Sequence, residues 1–302
     1  MEEYWMNFTV RTDLACESMA EIGRQLSKDL YREEMRNGFR ICRLRLRNKQ
    51  ESELLQKPIG HYITVECGTV LLRCDAELAA LGDLLSHEIM EMARQLTGKR
   101  SRTEMTVLVV GLGNADLTAD AIGPKTVQRL TATRHLREHE AALYQSLGCA
   151  ALSAFSPGVL GQTGIETLEL LKGAVEHVAP DLVVVIDALA ARSCSRLAST
   201  IQLSDAGINP GAGVGNHRNP ITKESLGIPV MVLGVPTVVD SATLIYDALR
   251  EAGQQDVDDK LQQVLENRRS FFVSPKDSDL IVEQVSKLLA QALMQSFVGM
   301  ML

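Results

Sequence analysis

Three aspartates stand where a sheet protein concentrates its chemistry. In "VLVVGLGNADLTADAIGP" (Val107–Pro124) an apolar run stops at Gly111-Leu112-Gly113-Asn114, and Asp116 and Asp120 follow closely. In "PDLVVVIDALAAR" (Pro180–Arg192) Asp187 closes a run of Val and Ile. Open α/β sheets bind their ligands outside the C-terminal ends of the strands. An aspartate ending an apolar strand is half desolvated, which raises its pKa. If Asp120 and Asp187 face each other, repulsion raises one pKa further. The pair then shares a proton, one member acting as general base on a water and the other as general acid. The competing reading is structural: Asp187 caps a turn and Asp120 caps the next helix. Residue types and spacing leave both readings open.

Other patterns carry less. Gly111-x-Gly113 begins a dinucleotide fingerprint, but Asp116 occupies the position of the third glycine, and no acid ends a second strand about 20 residues on. Asp116 would repel a pyrophosphate. No Walker A sequence is present. "HLREH" (His135–His139) has the spacing of one zinc-protease motif, yet it lies in a segment charged all round, which reads as a solvated helix end. Asp205-Ala206-Gly207 is a single weak likeness to the Asp-Thr-Gly of pepsin-like proteases. Asp75, Asp240 and Asp247 read as surface or capping residues, and nothing in the spacing pairs Cys194 with a histidine. The loop Ser204–Gly227, "SDAGINPGAGVGNHRNPITKESLG", has five glycines and three asparagines. A connection this long is functional or disordered, and its glycines would let backbone amides approach a ligand.

The elements that position these residues alternate between strand and helix. "GFRICRLRLR", "HYITVEC", "TVLVVGLG", "PDLVVVIDAL", "RLASTIQL" and "GIPVMVLGVP" read as strands. Residues 17–36, about 75–96, "DAIGPKTVQRLTATRHL", "TGIETLELLKGAVEHV", "TVVDSATLIYDALREA" and the tail from about Ser278 read as helices. The continuous apolar run before Asp187 suits a strand buried on both faces. The fold class is α/β, with a mainly parallel or mixed sheet flanked by helices.

Composition bounds the rest. The chain has 302 residues, 45% hydrophobic but only 4% aromatic, so its core is built from aliphatic side chains. A net charge of -7 argues against a dedicated nucleic-acid surface. The basic stretch Phe39–Lys49 alternates Arg with apolar residues, as a half-buried strand does. The six cysteines form no Cys-x-x-Cys pair, which points to reduced thiols and no cysteine-based metal site. The N-terminus lacks the basic and apolar regions of a signal peptide. The apolar C-terminal stretch is shorter than the about 20 residues a membrane span needs.

Taken together, "VRTDLACE", "GLGNADLTADAIGPKTVQRLTATRHL" and the run from "SPGVLGQTGIETLELL" through "IDALAAR", "PGAGVGN" and "GVPTVVD" resemble the germination proteases of spore-forming Firmicutes. The resemblance spans most of Val10 to about Asp247. It implies an aspartic-type endopeptidase, related in fold to the hydrogenase maturation proteases and phosphorylase-like folds. It implies degradation of small acid-soluble spore proteins at germination, in the cytoplasm of the forespore or spore core. A homotetramer is implied, with no cofactor, no metal, no direct nucleic-acid partner and no membrane. The two essential aspartates match Asp120 and Asp187; the glycine loop, with Gly211, Gly213, Gly215 and Asn216, is expected from its glycines to bind substrate by placing backbone N–H groups around an oxyanion or a substrate backbone. A zymogen is implied: residues 1–13 would be a propeptide and 14–302 the peptidase domain, with self-cleavage between Asp13 and Leu14. Tyr4, Trp5 and Phe8 would dock the propeptide. Ala119, Ala206 and Ala212 depart from the residues expected in the family pattern. A metal-dependent protease using the same aspartates as ligands, and a non-catalytic glycine-rich binding module, are the alternative readings.

Overall fold

The computed structural model describes residues 12–22, 29–68, 73–211, 218–253, 260–261, 263–264 and 271–299. Among these, nine strands form one mixed sheet. In chain order they are β1 (Tyr31–Arg36), β2 (Phe39–Leu46), β3 (Gly60–Glu66), β4 (Thr106–Gly111), β5 (Ala151–Phe155), β6 (Leu182–Ala191), β7 (Thr200–Ser204), β8 (Val230–Asp240) and β9 (Phe272–Val273). The spatial order is β1-β2-β3-β7-β8-β6-β4-β5, with β9 added to the end of β8. The block β8-β6-β4-β5 is parallel, and the β1-β2-β3-β7 half is antiparallel and joins β8 antiparallel. In the parallel strands, Val107–Val110 of β4 and Leu182–Ile186 of β6 read as unbroken Val, Leu and Ile because helices cover both faces there. β2 buries all its apolar residues and leaves its arginines exposed or partly exposed, Ile41 and Cys42 both being buried.

One face carries α3 (Asp75–Thr97), α4 (Ile122–Val127) and the C-terminal helix α11 (Ser278–Phe297). Their Leu81, Leu85, Ile89, Ile122, Val285 and Leu289 pack on Val107, Val109, Val184 and Ile186. α11 is a core helix, and among the described residues no helix is long and apolar enough to cross a membrane. Leu108, Val110, Val183 and Val185 point to the other face, against Leu171 of α8 (Thr167–Val178) and the region of α9 (Lys223–Leu226). Further along that face, Ala15 of α1 (Ala15–Ile22) packs with Leu44, Leu46 and Tyr62, and with Leu55 of α2 (Lys49–Leu55). The remaining helices are α5 (Arg134–His139), α6 (Ala141–Leu147), α7 (Leu160–Thr163) and α10 (Ser241–Glu251).

Four elements differ from the sequence reading; one is the helix expected from Thr237, which begins at Ser241 because Thr237–Asp240 continue β8 beside β6. Residues 17–36 are not one helix: α1 ends at Ile22 and the segment's end is the edge strand β1. Its mixed charges are those of a two-sided exposed edge, which carries no period-2 signal. The helix expected from Asp120 is broken into α4 and α5, with an irregular connection between them. β6 runs four residues past Asp187 to Ala191, so Asp187 lies inside the strand rather than at its end.

Candidate active site

Asp187 emerges where the sheet narrows. β4 stops at Gly111, opposite Ile186, so the neighbour strand is gone at the next position of β6. Asp187 points to the same face as Val183 and Val185, and only 6% of it is exposed. One of its oxygens accepts the N–H of Ala188 at 3.0 Å. Burial drives its carboxyl well above the ordinary aspartate range, the Asp120 charge pushes the same way, and Asp13 adds to it.

Asp120 arrives on the loop that leaves β4. The backbone there is pressed against the following turn too closely for any side chain. A Cβ on Gly111 would lie 2.2 Å from the Gly123 carbonyl oxygen, and one on Gly113 would lie 2.0 Å from that of Asp120. Gly113 also has φ +111°, a conformation L side chains rarely adopt. The Gly-x-Gly is thus a packing device for the Thr118–Asp120 turn, not a phosphate cradle. Asp120 accepts the Asn114 N–H at 2.8 Å. Thr237 on β8 holds the preceding residue, its hydroxyl donating to the Ala119 carbonyl at 2.6 Å. Burial raises the Asp120 pKa, and the Asn114 N–H works against that rise.

A third carboxylate joins them. The segment Thr12–Glu17 lies along the end of β6. Asp13 N–H donates to the Ala190 carbonyl at 2.8 Å, and the Asp13 carboxylate accepts the Ala190 N–H at 2.8 Å. Lys57 donates to the Thr12 carbonyl at 2.6 Å, and its charge favours ionised Asp13. Burial nevertheless raises the Asp13 pKa, and lowers that of Lys57. Leu14 is fully buried against Leu189, Ala191 and Val239. Burying a leucine contributes about 2 kcal/mol, which helps fix the segment. Glu17 closes it, accepting the N–H groups of Arg192 at 2.8 Å and Ser193 at 3.0 Å.

The other candidates lie elsewhere. Asp116 is exposed and shares Gln162 with Asn114. Asp205 pairs with His61 at 3.1 Å and accepts its N–H. Asp240 accepts from Thr243 in the first turn of α10, and Asp247 pairs with Arg192 at 3.3 Å. His135 and His139 are exposed on α5. Among the described residues no group of three or more His, Cys, Asp or Glu side chains is arranged to hold a metal ion. Gly211 has φ +73° and follows Ile208, which pairs with Ile221 and packs beside the Leu14 cluster. Gly213, Gly215 and Asn216 lie outside the described residues, as do Tyr4, Trp5 and Phe8. Sequence reasoning missed Lys57, Thr237 and the Ala190 N–H, none of which carries a motif. It also missed Gln202, whose signal was a single amide in the apolar strand "TIQLS".

A mixed-sheet α/β fold that brings the Asp120 turn at the end of β4 to the buried Asp187 of β6 defines the class: an α/β protein with a carboxylate-lined candidate site. The chain belongs to the germination protease family, whose model matches residues 13–255, and is by that membership a peptidase. It is 40% identical to the germination protease of Caldanaerobacter subterraneus subsp. tengcongensis, over 94% of this chain and 93% of the relative. It is 38% identical to that of Clostridium perfringens, over 95% and 94%. The germination protease of Bacillus pumilus is 39% identical over 84% of this chain and 71% of its own. Among solved structures, a (NiFe) hydrogenase maturation protease, HycI from Thermococcus kodakarensis, aligns with 63% of this chain and 92% of its own, at a TM-score of 0.32 and 17% identity.

Proposed function

We propose that the protein is an aspartic-type endopeptidase that degrades small acid-soluble spore proteins in the spore core during germination, and that it is made as a self-processing zymogen. The observation that carries the mechanism is the unequal pair: Asp187 buried and driven well above the ordinary aspartate range with the Asp120 charge among the causes, and Asp120 raised by burial as well but opposed by the N–H it accepts from Asn114. Like charges in a dry site cannot both ionise, so the pair holds one proton. On this reading Asp120 is the base that takes a proton from water and Asp187 the acid that protonates the departing amine. No metal ion or cofactor enters the scheme.

The zymogen reading draws support from the Thr12–Glu17 segment. The Asp13 charge acts on Asp187, the Asp13 carboxylate accepts the Ala190 N–H, and Leu14 lies in an apolar pocket. Residues 1–13 would be the propeptide and 14–302 the peptidase, working as a homotetramer. Gly211, Gly213, Gly215 and Asn216 would bind substrate backbone. The test is intact-mass spectrometry of the purified chain incubated at graded pH. A product beginning at Leu14, favoured by mild acid and missing from Asp187→Asn, is expected. The same product from Asp187→Asn would assign the cut to another protease.

A further inference from the structure

Gln202 is a buried amide in an apolar strand, 6% exposed. Both ends of its side chain are spent on a segment 187 to 189 residues away. Oε1 accepts the N–H of Ala15 at 2.8 Å, and Nε2 donates to the carbonyl oxygen of Asp13 at 3.2 Å. The side chain therefore spans Leu14, its N–H on the carbonyl of the Asp13–Leu14 peptide and its oxygen on the N–H of the Leu14–Ala15 peptide. Its level in the sheet is that of the aspartate: Gln202 is paired with Gly234 across β7–β8, and Gly234 with Asp187 across β8–β6. Residues in register point to one face of a sheet, so Gln202 and Asp187 flank a position that carries no side chain. Leu189 leans over Gly234 there, where a Cβ would meet it at 2.3 Å, and the same leucine walls the Leu14 pocket.

We propose that Gln202 is a catalytic residue of the peptidase: its Nε2–H donates to the carbonyl oxygen of the bond being cut and stabilises the oxyanion that forms there. This rests on the reading of Asp120 and Asp187 as the water-activating pair. In the step, Asp120 takes a proton from water as the water oxygen bonds to the Asp13 carbonyl carbon. The C=O electron pair moves onto the oxygen, where the Gln202 N–H strengthens its hydrogen bond. Collapse of the intermediate breaks the C–N bond, and the Leu14 nitrogen leaves with the proton from Asp187. The water's second proton passes from the new Asp13 carboxyl to the Leu14 amine, so the products are the Asp13 carboxylate and an ammonium terminus at Leu14, with the pair's one proton now on Asp120. Oε1 meanwhile grips Ala15 N–H and keeps the bond in register. A preorganised donor of this kind contributes a factor of about 10² to 10³ in rate.

The experiment compares the first-turnover rate of Leu14 product formation in the intact chain for wild type, Asp187→Asn, Gln202→Glu and Gln202→Met. It also follows hydrogen exchange at the Ala15 amide. Glutamate keeps the acceptor for Ala15 and loses the donor, whereas methionine keeps only the length. The expected result is a rate at least about 100-fold lower in Gln202→Glu, with Ala15 still protected. A fall in rate matched by loss of Ala15 protection would make Gln202 a docking residue and overturn the proposal. Rates within threefold of wild type in both variants would also overturn it, with the aspartate reading intact so long as Asp187→Asn is inactive. If Gln202→Glu does not fold, Gln202→Met decides: a rate within threefold of wild type overturns the proposal, and a fall of about 100-fold or more with the Ala15 amide still protected supports it. No Leu14 product from wild type, or equal product from Asp187→Asn, would remove the aspartate reading and this proposal with it.

Discussion

Asp187 is in an unusual position for an aspartate, inside a parallel strand and almost without solvent. The linkage has a definite sign. Its folded-state pKa is raised, so the stability it contributes is fully present below the ordinary aspartate range and is lost as pH rises through the raised value. Activity should follow the same group, falling on the alkaline side once Asp187 gives up the proton it donates. Asp13 contributes to the rise, so Asp13→Asn should lower the Asp187 pKa and move that alkaline limb to lower pH. Carbon-detected NMR titration of the aspartate carboxyls reads this directly. An Asp187 that titrates in the ordinary range, unmoved by Asp13→Asn or Asp120→Asn, would contradict the electrostatic account. Asp116 faces solvent and Gln162, so Asp116→Asn should keep measurable activity in a peptide-cleavage assay.

At the scale of elements, the site depends on the contact between β4, the Thr118–Asp120 turn and β8. Thr237→Val removes the hydroxyl that holds Ala119 and leaves a carbonyl without its donor, at a cost of about 1 kcal/mol. Turnover should fall more than that stability loss explains, because Asp120 is the next residue. Peptide cleavage measured beside thermal melting checks it, and a melting shift with unchanged turnover would make Thr237 purely structural. Gly113→Ala should be harsher, with about 2 kcal/mol or more lost and activity abolished, since its Cβ would overlap the Asp120 backbone. Much of this was legible in the sequence. The apolar runs of β4 and β6, the missing third glycine and both aspartates pointed to a turn that delivers a carboxylate. β1 was not legible, because an exposed edge strand with charges on both sides has no period to read. Nor were Gln202 and Lys57, which acquire meaning only when β7 and the loop before β3 are brought against Asp13 by pairings remote in sequence.

At the scale of the whole molecule, one mixed sheet does two jobs. Its helix-covered face with α3, α4 and α11 supplies the core. Its other face carries Asp187 and seats the chain's own Thr12–Glu17 segment along the end of β6, with Asp13 bonded to Ala190. The central claim is that Asp120 and Asp187 work as one unit. Its most direct test is the rate of peptide cleavage by wild type, Asp120→Asn, Asp187→Asn and the double variant, each verified as folded. Groups that act as a unit lose activity non-additively. Each single variant should be nearly inactive and the double variant no worse than either. A fully active, folded single variant, or losses that multiply in the double variant, would contradict the account.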